Sequence, residues 1–142
     1  MARLPRFEDF AGRWRLERKI TDRRAGTSGR FEGLATMRAR EGALDYLEEG
    51  ELSFAGKAPL AASRRYVWRR AENGAVDVYF EDGRFFLSFP LDRLMPDATH
   101  VCSPDLYHVT FDFTDWPEWR AKWRVVGPRK DYCLSATYRR EG

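Results

Sequence analysis

The feature that most limits how this chain can fold is a succession of short segments of alternating polarity, each followed by a tight-turn signal. Arg13–Ile20 sets the pattern. Trp14, Leu16 and Ile20 share one face, and Arg13, Arg15, Glu17 and Lys19 share the other, which is the two-residue period of a half-buried strand. Arg18 alone puts a charge on the apolar face. A second segment, Phe31–Arg40, aligns Phe31, Gly33, Ala35, Met37 and Ala39, and a third, Ala43–Phe54, aligns Leu44, Tyr46, Glu48, Leu52 and Phe54. A polar stretch rich in Gly and Arg separates the first two, and Glu41-Gly42 separates the second from the third.

The remaining strands are expected at Ser63–Arg70, Val76–Phe80, Arg84–Phe89, Leu106–Phe113, Trp119–Val126 and Asp131–Arg139. Asn73-Gly74 is a strong hairpin signal because both residues tolerate positive φ. Glu81-Asp82-Gly83 makes the next turn, residues 90–99 form a longer connection, and Pro5–Phe10 reads as one short helical turn with Phe7 and Phe10 on one side. That gives about nine strands in a meander. A meander of this length must dispose of its edges, and closure into a barrel does so. A two-sheet sandwich would need long crossovers, which these short turns do not provide. The expected fold is therefore all-β, a single antiparallel up-and-down β-barrel over residues 1–142.

Composition agrees and narrows the function. The 5 Trp, 6 Tyr and 10 Phe need a core, a cavity or an interface. Net charge is only +3, because 25 Lys+Arg face 22 Asp+Glu, and the basic residues are scattered. That is a weak footprint for nucleic acid, and no nucleic-acid partner is expected. No apolar run approaches membrane-spanning length and no leader segment is visible, so a cytoplasmic protein with Cys102 and Cys133 reduced is expected.

Gly12-Arg13-Trp14 stands at the start of the first strand, just after the helical turn. It resembles the Gly-x-Trp signature of the lipocalins and the wider calycin superfamily. The resemblance implies that Trp14 packs at the closed end of the barrel, with an arginine near the last strand across its ring. Arg139 or Arg140, after Tyr138, would be that arginine, and Arg139 is the one assigned. Residues 100–107 (HVCSPDLY), Val109-Thr110-Phe111 and residues 127–132 (GPRKDY) also resemble a family of uncharacterised bacterial proteins. That resemblance implies a lipocalin-like barrel and no assigned activity.

Candidate site residues follow from strand phase. Arg18 and Glu48 are inward charges, which burial makes costly unless they are paired or meet a ligand. They are either an internal ion pair or an anchor for a carboxylate. Tyr46, Tyr66, Tyr107 and Trp123 belong to an aromatic set that could line a pocket or fill the barrel completely. His100, Cys102 and Asp105 form the most chemically loaded segment, while His108 falls on the opposite face. His-x-Cys supplies two metal ligands at most, so no metal or cofactor is expected. Phe85-Phe86 puts one ring on each face. An outward Phe86 would offer a dimer contact, which makes a homodimer a candidate assembly. Trp116, in an exposed turn, would be a lid or interface residue.

Three functions are compatible with this sequence. The first is a binding module holding an apolar or amphipathic small molecule through Arg18, Tyr46, Glu48, Tyr66, His100, Cys102, Tyr107 and Trp123. The second is an isomerase- or hydrolase-type enzyme using His100, Cys102 and Asp105. The third is a filled barrel serving as a structural or interaction unit.

Overall fold

The computed structural model describes residues 3–141. A 3-10 helix, Phe7–Phe10, precedes ten strands: β1 Gly12–Asp22, β2 Thr27–Arg40, β3 Ala43–Phe54, β4 Leu60–Arg70, β5 Val76–Phe80, β6 Phe85–Phe89, β7 Asp97–Cys102, β8 Asp105–Asp112, β9 Trp119–Gly127 and β10 Lys130–Arg140. All pair antiparallel in one sheet of order β6-β5-β4-β3-β2-β1-β10-β9-β8-β7. β1 and β10 pair from Trp14↔Arg140 to Asp22↔Tyr132, which brings the two ends of the chain together. β6 and β7, the two ends of the sheet, lie side by side without ladder pairing. The result is an up-and-down barrel with one seam.

Two details depart from strict sequence periodicity. The first is β7, which falls partly within the expected 90–99 connection and makes the strand count ten. It has a ladder partner on one side only, β8, and only Ala98 and His100 of it are even half-buried. So short a strand has no apolar run to reveal it. The second is the phase of β6. Strict alternation through Leu87 and Phe89 would turn Phe85 inward and Phe86 outward. Instead the register shifts between Val78 and Tyr79, so Tyr79 faces Phe85 and both Phe86 and Leu87 turn inward. Phe86 is 4% exposed and Phe85 52%. The outward ring is therefore Phe85, and the dimer contact assigned to Phe86 is not available there.

The closed half of the barrel is filled. Phe10 inserts from the 3-10 helix and meets Trp68, Phe113, Trp116 and Trp119 with centroids 4.9–5.6 Å apart. Trp14 is fully buried, and its Nε1 donates to the Phe10 carbonyl at 2.9 Å. Trp116, expected in an exposed turn, also packs on Trp14, so it belongs to this plug. The arginine over Trp14 is Arg140, 4.0 Å from the ring centroid, which also donates to the carbonyls of Ala11 and Asp9. Arg139 does not take that role. Tyr138 is buried, so alternation sends Arg139 outward, where it pairs with Glu118 at 2.7 Å, and returns Arg140 to the inner side.

One close approach shapes the wall. Gly33 on β2 lies opposite Gly50 on β3. A Cβ at Gly33 would sit 2.0 Å from the Glu49 carbonyl oxygen, so only glycine lets these strands come this near.

Candidate functional site

Above the aromatic plug the barrel is hollow. An inner chamber of about 90 Å³ is lined by Arg18, Tyr46, Glu48, Tyr66, Tyr107 and Trp123, with Trp68, Phe86, Trp119 and Tyr138 among its other walls. An outer cleft of about 660 Å³ is lined by Tyr66, Phe80, Phe86, His100, Cys102 and Tyr107, with Ser63, Arg64, Arg65, Glu81 and Asp82 at its rim. Arg64, Tyr66, Phe86 and Tyr107 line both spaces and form the neck between them. All eight residues singled out from the sequence as ligand-binding candidates thus border one or both compartments.

Strand lengths explain where the cleft opens. β4 pairs with β3 from Leu60 onward, yet it pairs with β5 only over Tyr66–Arg70. The short β5–β6 hairpin leaves Leu60–Arg65 without a ladder partner on that side. β7 presents its own unpaired edge across the seam. The cleft is the notch above the hairpin, with β4 on one flank and His100 and Cys102 on the other.

Polar groups in the chamber are organised around one acid. Arg18 Nη1 donates to Glu48 Oε2 at 2.7 Å, and Nη2 donates to Oε1 at 3.0 Å. The Tyr46 hydroxyl donates to the same Oε1 at 2.7 Å and lies 2.8 Å from the Tyr138 hydroxyl. The Tyr138 hydroxyl is then the donor to Tyr46. Both side chains of the ion pair are largely buried, 11% exposed for Arg18 and 5% for Glu48. Burial pushes the Glu48 carboxyl up, but the hydrogen bonds and charge of Arg18, helped by Tyr46, hold it below the usual carboxylate range. Burial likewise opposes charge on Arg18, and the Glu48 carboxylate overrides it and raises its pKa. Burial pushes the Tyr46 hydroxyl well above the ordinary phenol value and raises that of Tyr138. Of the two sequence readings of Arg18, the internal pair is the one present.

Arg64 differs. It is the direct cross-strand neighbour of Glu48, yet among the described residues it forms no ion pair with a carboxylate. Its side-chain hydrogen bond is a long one, 3.4 Å from Nη1 to the Tyr66 hydroxyl. Arg18 and Tyr46 fill three of the acceptor positions of Glu48, and Arg64 does not take the one left on Oε2. Arg64 alternates onto the same face as Tyr66 and Trp68, which does not by itself mark it as a site residue. The cross-strand register that shows Glu48 to be shared is a tertiary fact.

The walls are aromatic. Phe86 stacks on Trp123 at 5.5 Å and on Tyr66 at 5.9 Å, and meets His100 edge-on at 5.0 Å and Tyr107 at 6.0 Å. It reaches from β6 across the seam to β7, β8 and β9. Trp119 stacks flat on Tyr138, and its buried Nε1 has no hydrogen-bond partner among the described residues.

The chemically loaded segment is spread out. His100 faces the cleft among aromatic rings, and Cys102 is an exposed free thiol at its rim. The Asp105 carboxylate is engaged by Lys130 Nζ at 2.9 Å. Among the described residues no hydrogen bond links these three, and no group of three His, Cys, Asp or Glu side chains could hold a metal ion. His108 lies on the outer face and pairs with Asp97 at 3.0 Å. No helix is long and apolar enough to cross a membrane.

Among solved structures, the S-type phycobiliprotein lyase CPES from Guillardia theta superposes with a TM-score of 0.62 at 11% sequence identity, covering 96% of this chain and 90% of that one. At that identity the likeness is one of fold. A search of curated proteins finds no match to the sequence. Residues 10–140 match the model of a family of unknown function, DUF6314, from the plug residue Phe10 to the closed-end Arg140, and the chain belongs to that family.

Proposed function

We propose that this barrel is a small-molecule-binding module whose open half takes an apolar or amphipathic ligand. The observation that carries the reading is the pairing of an aromatic-lined chamber with a wider cleft through a shared neck. The cleft volume falls within the few-hundred to thousand Å³ typical of ligand pockets. Flat rings on several strands suit a conjugated or otherwise apolar body. The chamber alone is smaller than a typical one-ring cavity, so the bulk of a ligand would rest in the cleft and only a small group would pass the neck.

The filled-barrel reading describes the closed half and not the open one. The enzymatic reading draws no support from the His100–Cys102–Asp105 segment as it is arranged. Native mass spectrometry of the freshly purified protein tests the proposal. A co-purifying small molecule at one per chain, lost on denaturation, is the expected result. A bare chain that also fails to bind an apolar fluorescent probe would remove it.

A further inference from the structure

We infer that the ligand carries a negatively charged end group, and that Arg64 at the neck is its anchor. The inference rests on the binding-barrel reading above and names the ligand's chemical class. It begins with a charge count. Three charged side chains line the inner chamber, Arg18, Glu48 and Arg64. Arg18 and Glu48 cancel in a two-point pair, and Tyr46 occupies the acid further. Arg64, an exposed residue, has one long contact to a neutral hydroxyl, so most of its five donors face solvent and are open to a ligand. The carboxylates at the cleft rim have arginines of their own: Glu81 lies 3.9 Å from Arg65, also at the rim, and Asp82 holds Arg84 at 2.8 Å. Burial keeps Tyr66 protonated despite the arginine beside it, so the phenol does not neutralise Arg64.

Position adds to charge. Arg64 borders both chamber and cleft, flanked by the rings of Tyr66, Phe86 and Tyr107. A planar guanidinium beside stacked rings favours a flat molecule ending in a planar or forked anion such as a carboxylate. Arg18, the buried arginine that sequence phase brings forward as an anchor, is pre-empted by Glu48.

The test uses two fluorescent probes of one aromatic body: anilinonaphthalene sulfonate, which is anionic, and its uncharged parent, N-phenyl-naphthylamine. The wild type should bind the anionic probe at least about tenfold more tightly, the scale of one charged hydrogen-bonded contact. Arg64→Met should erase that preference by weakening the anionic probe, while the uncharged probe still binds. Arg64→Lys should retain part of it. Should Arg64→Met fail to fold, Arg64→Gln takes its place, and in the wild type added salt must weaken the anionic probe selectively. Equal affinity of the wild type for both probes, or a preference that survives Arg64→Met, overturns the inference and leaves the binding reading standing. A wild type that binds neither probe removes both.

Discussion

The Arg18 guanidinium and the Glu48 carboxylate meet inside the barrel at 2.7 and 3.0 Å, a two-point ion pair joining β1 to β3 across the interior. β2, the strand between them, contributes Ala35, opposite Glu48, and Phe31, opposite Arg18. Tyr46 adds one hydrogen bond to the acid, and these two β2 residues add none from their side chains. Removing one partner strands the other charge, so Glu48→Leu should destabilise the fold by about 3–5 kcal/mol. Arg18→Met combined with Glu48→Leu should recover most of that loss. Chemical denaturation of the three proteins measures both.

The same pair sets an acid limit. The folded Glu48 carboxyl titrates below its unfolded value, so its contribution is present above the unfolded carboxylate pKa. It is lost as pH falls through the lower, folded pKa. Wild-type stability should therefore drop more steeply below about pH 4 than that of the double variant. Denaturation midpoints measured across that range report the difference.

At the closed end, Arg140 and Arg139 should behave differently although they are adjacent. Arg140→Ala removes a cation–π contact and two bonds to backbone carbonyls, and should cost about 1–2 kcal/mol. Arg139 makes exposed ion pairs, and Arg139→Ala should cost less than about 1 kcal/mol. Paired thermal melts discriminate the two.

This pair also marks where sequence reading stops. The meander, the Gly12–Trp14 signature and the inward charges of β1 and β3 are legible because long strands alternate regularly and short turns carry Gly. Choosing between Arg139 and Arg140 needs the inward register of Tyr138, and one residue of phase separates the two answers. The same one-residue sensitivity exchanges Phe85 and Phe86, where a bulge interrupts the alternation of β6. β7 was hidden because an edge strand with two half-buried residues has no apolar period. Arg64 was hidden for another reason: its importance depends on Glu48 being taken by a residue thirty positions away from that acid along the chain, Arg18.

The exchange of Phe85 and Phe86 has its own consequence. Phe86→Ala should destabilise by about 3–5 kcal/mol and widen the neck between chamber and cleft, because its ring forms part of it. Phe85→Ala should change stability by less than about 1 kcal/mol. Urea denaturation of each variant checks the order.

Gly33 is the most demanding position in the wall. Gly33→Ala should cost more than about 2 kcal/mol, since its Cβ would meet the Glu49 carbonyl and the opposing Gly50 backbone. A thermal melt close to that of the wild type would show that the two strands can separate there.

The central claim is that the open half binds a ligand while the closed half is a fixed plug. The indole N–H signals of the five tryptophans, followed by isotope-edited NMR during titration with N-phenyl-naphthylamine, test it most directly. Trp123 borders the chamber, whereas Trp14 is hydrogen-bonded within the plug. A saturable shift at Trp123 with the Trp14 signal unmoved is the expected result. Saturable binding that moves neither signal, or that moves Trp14 and spares Trp123, would contradict it.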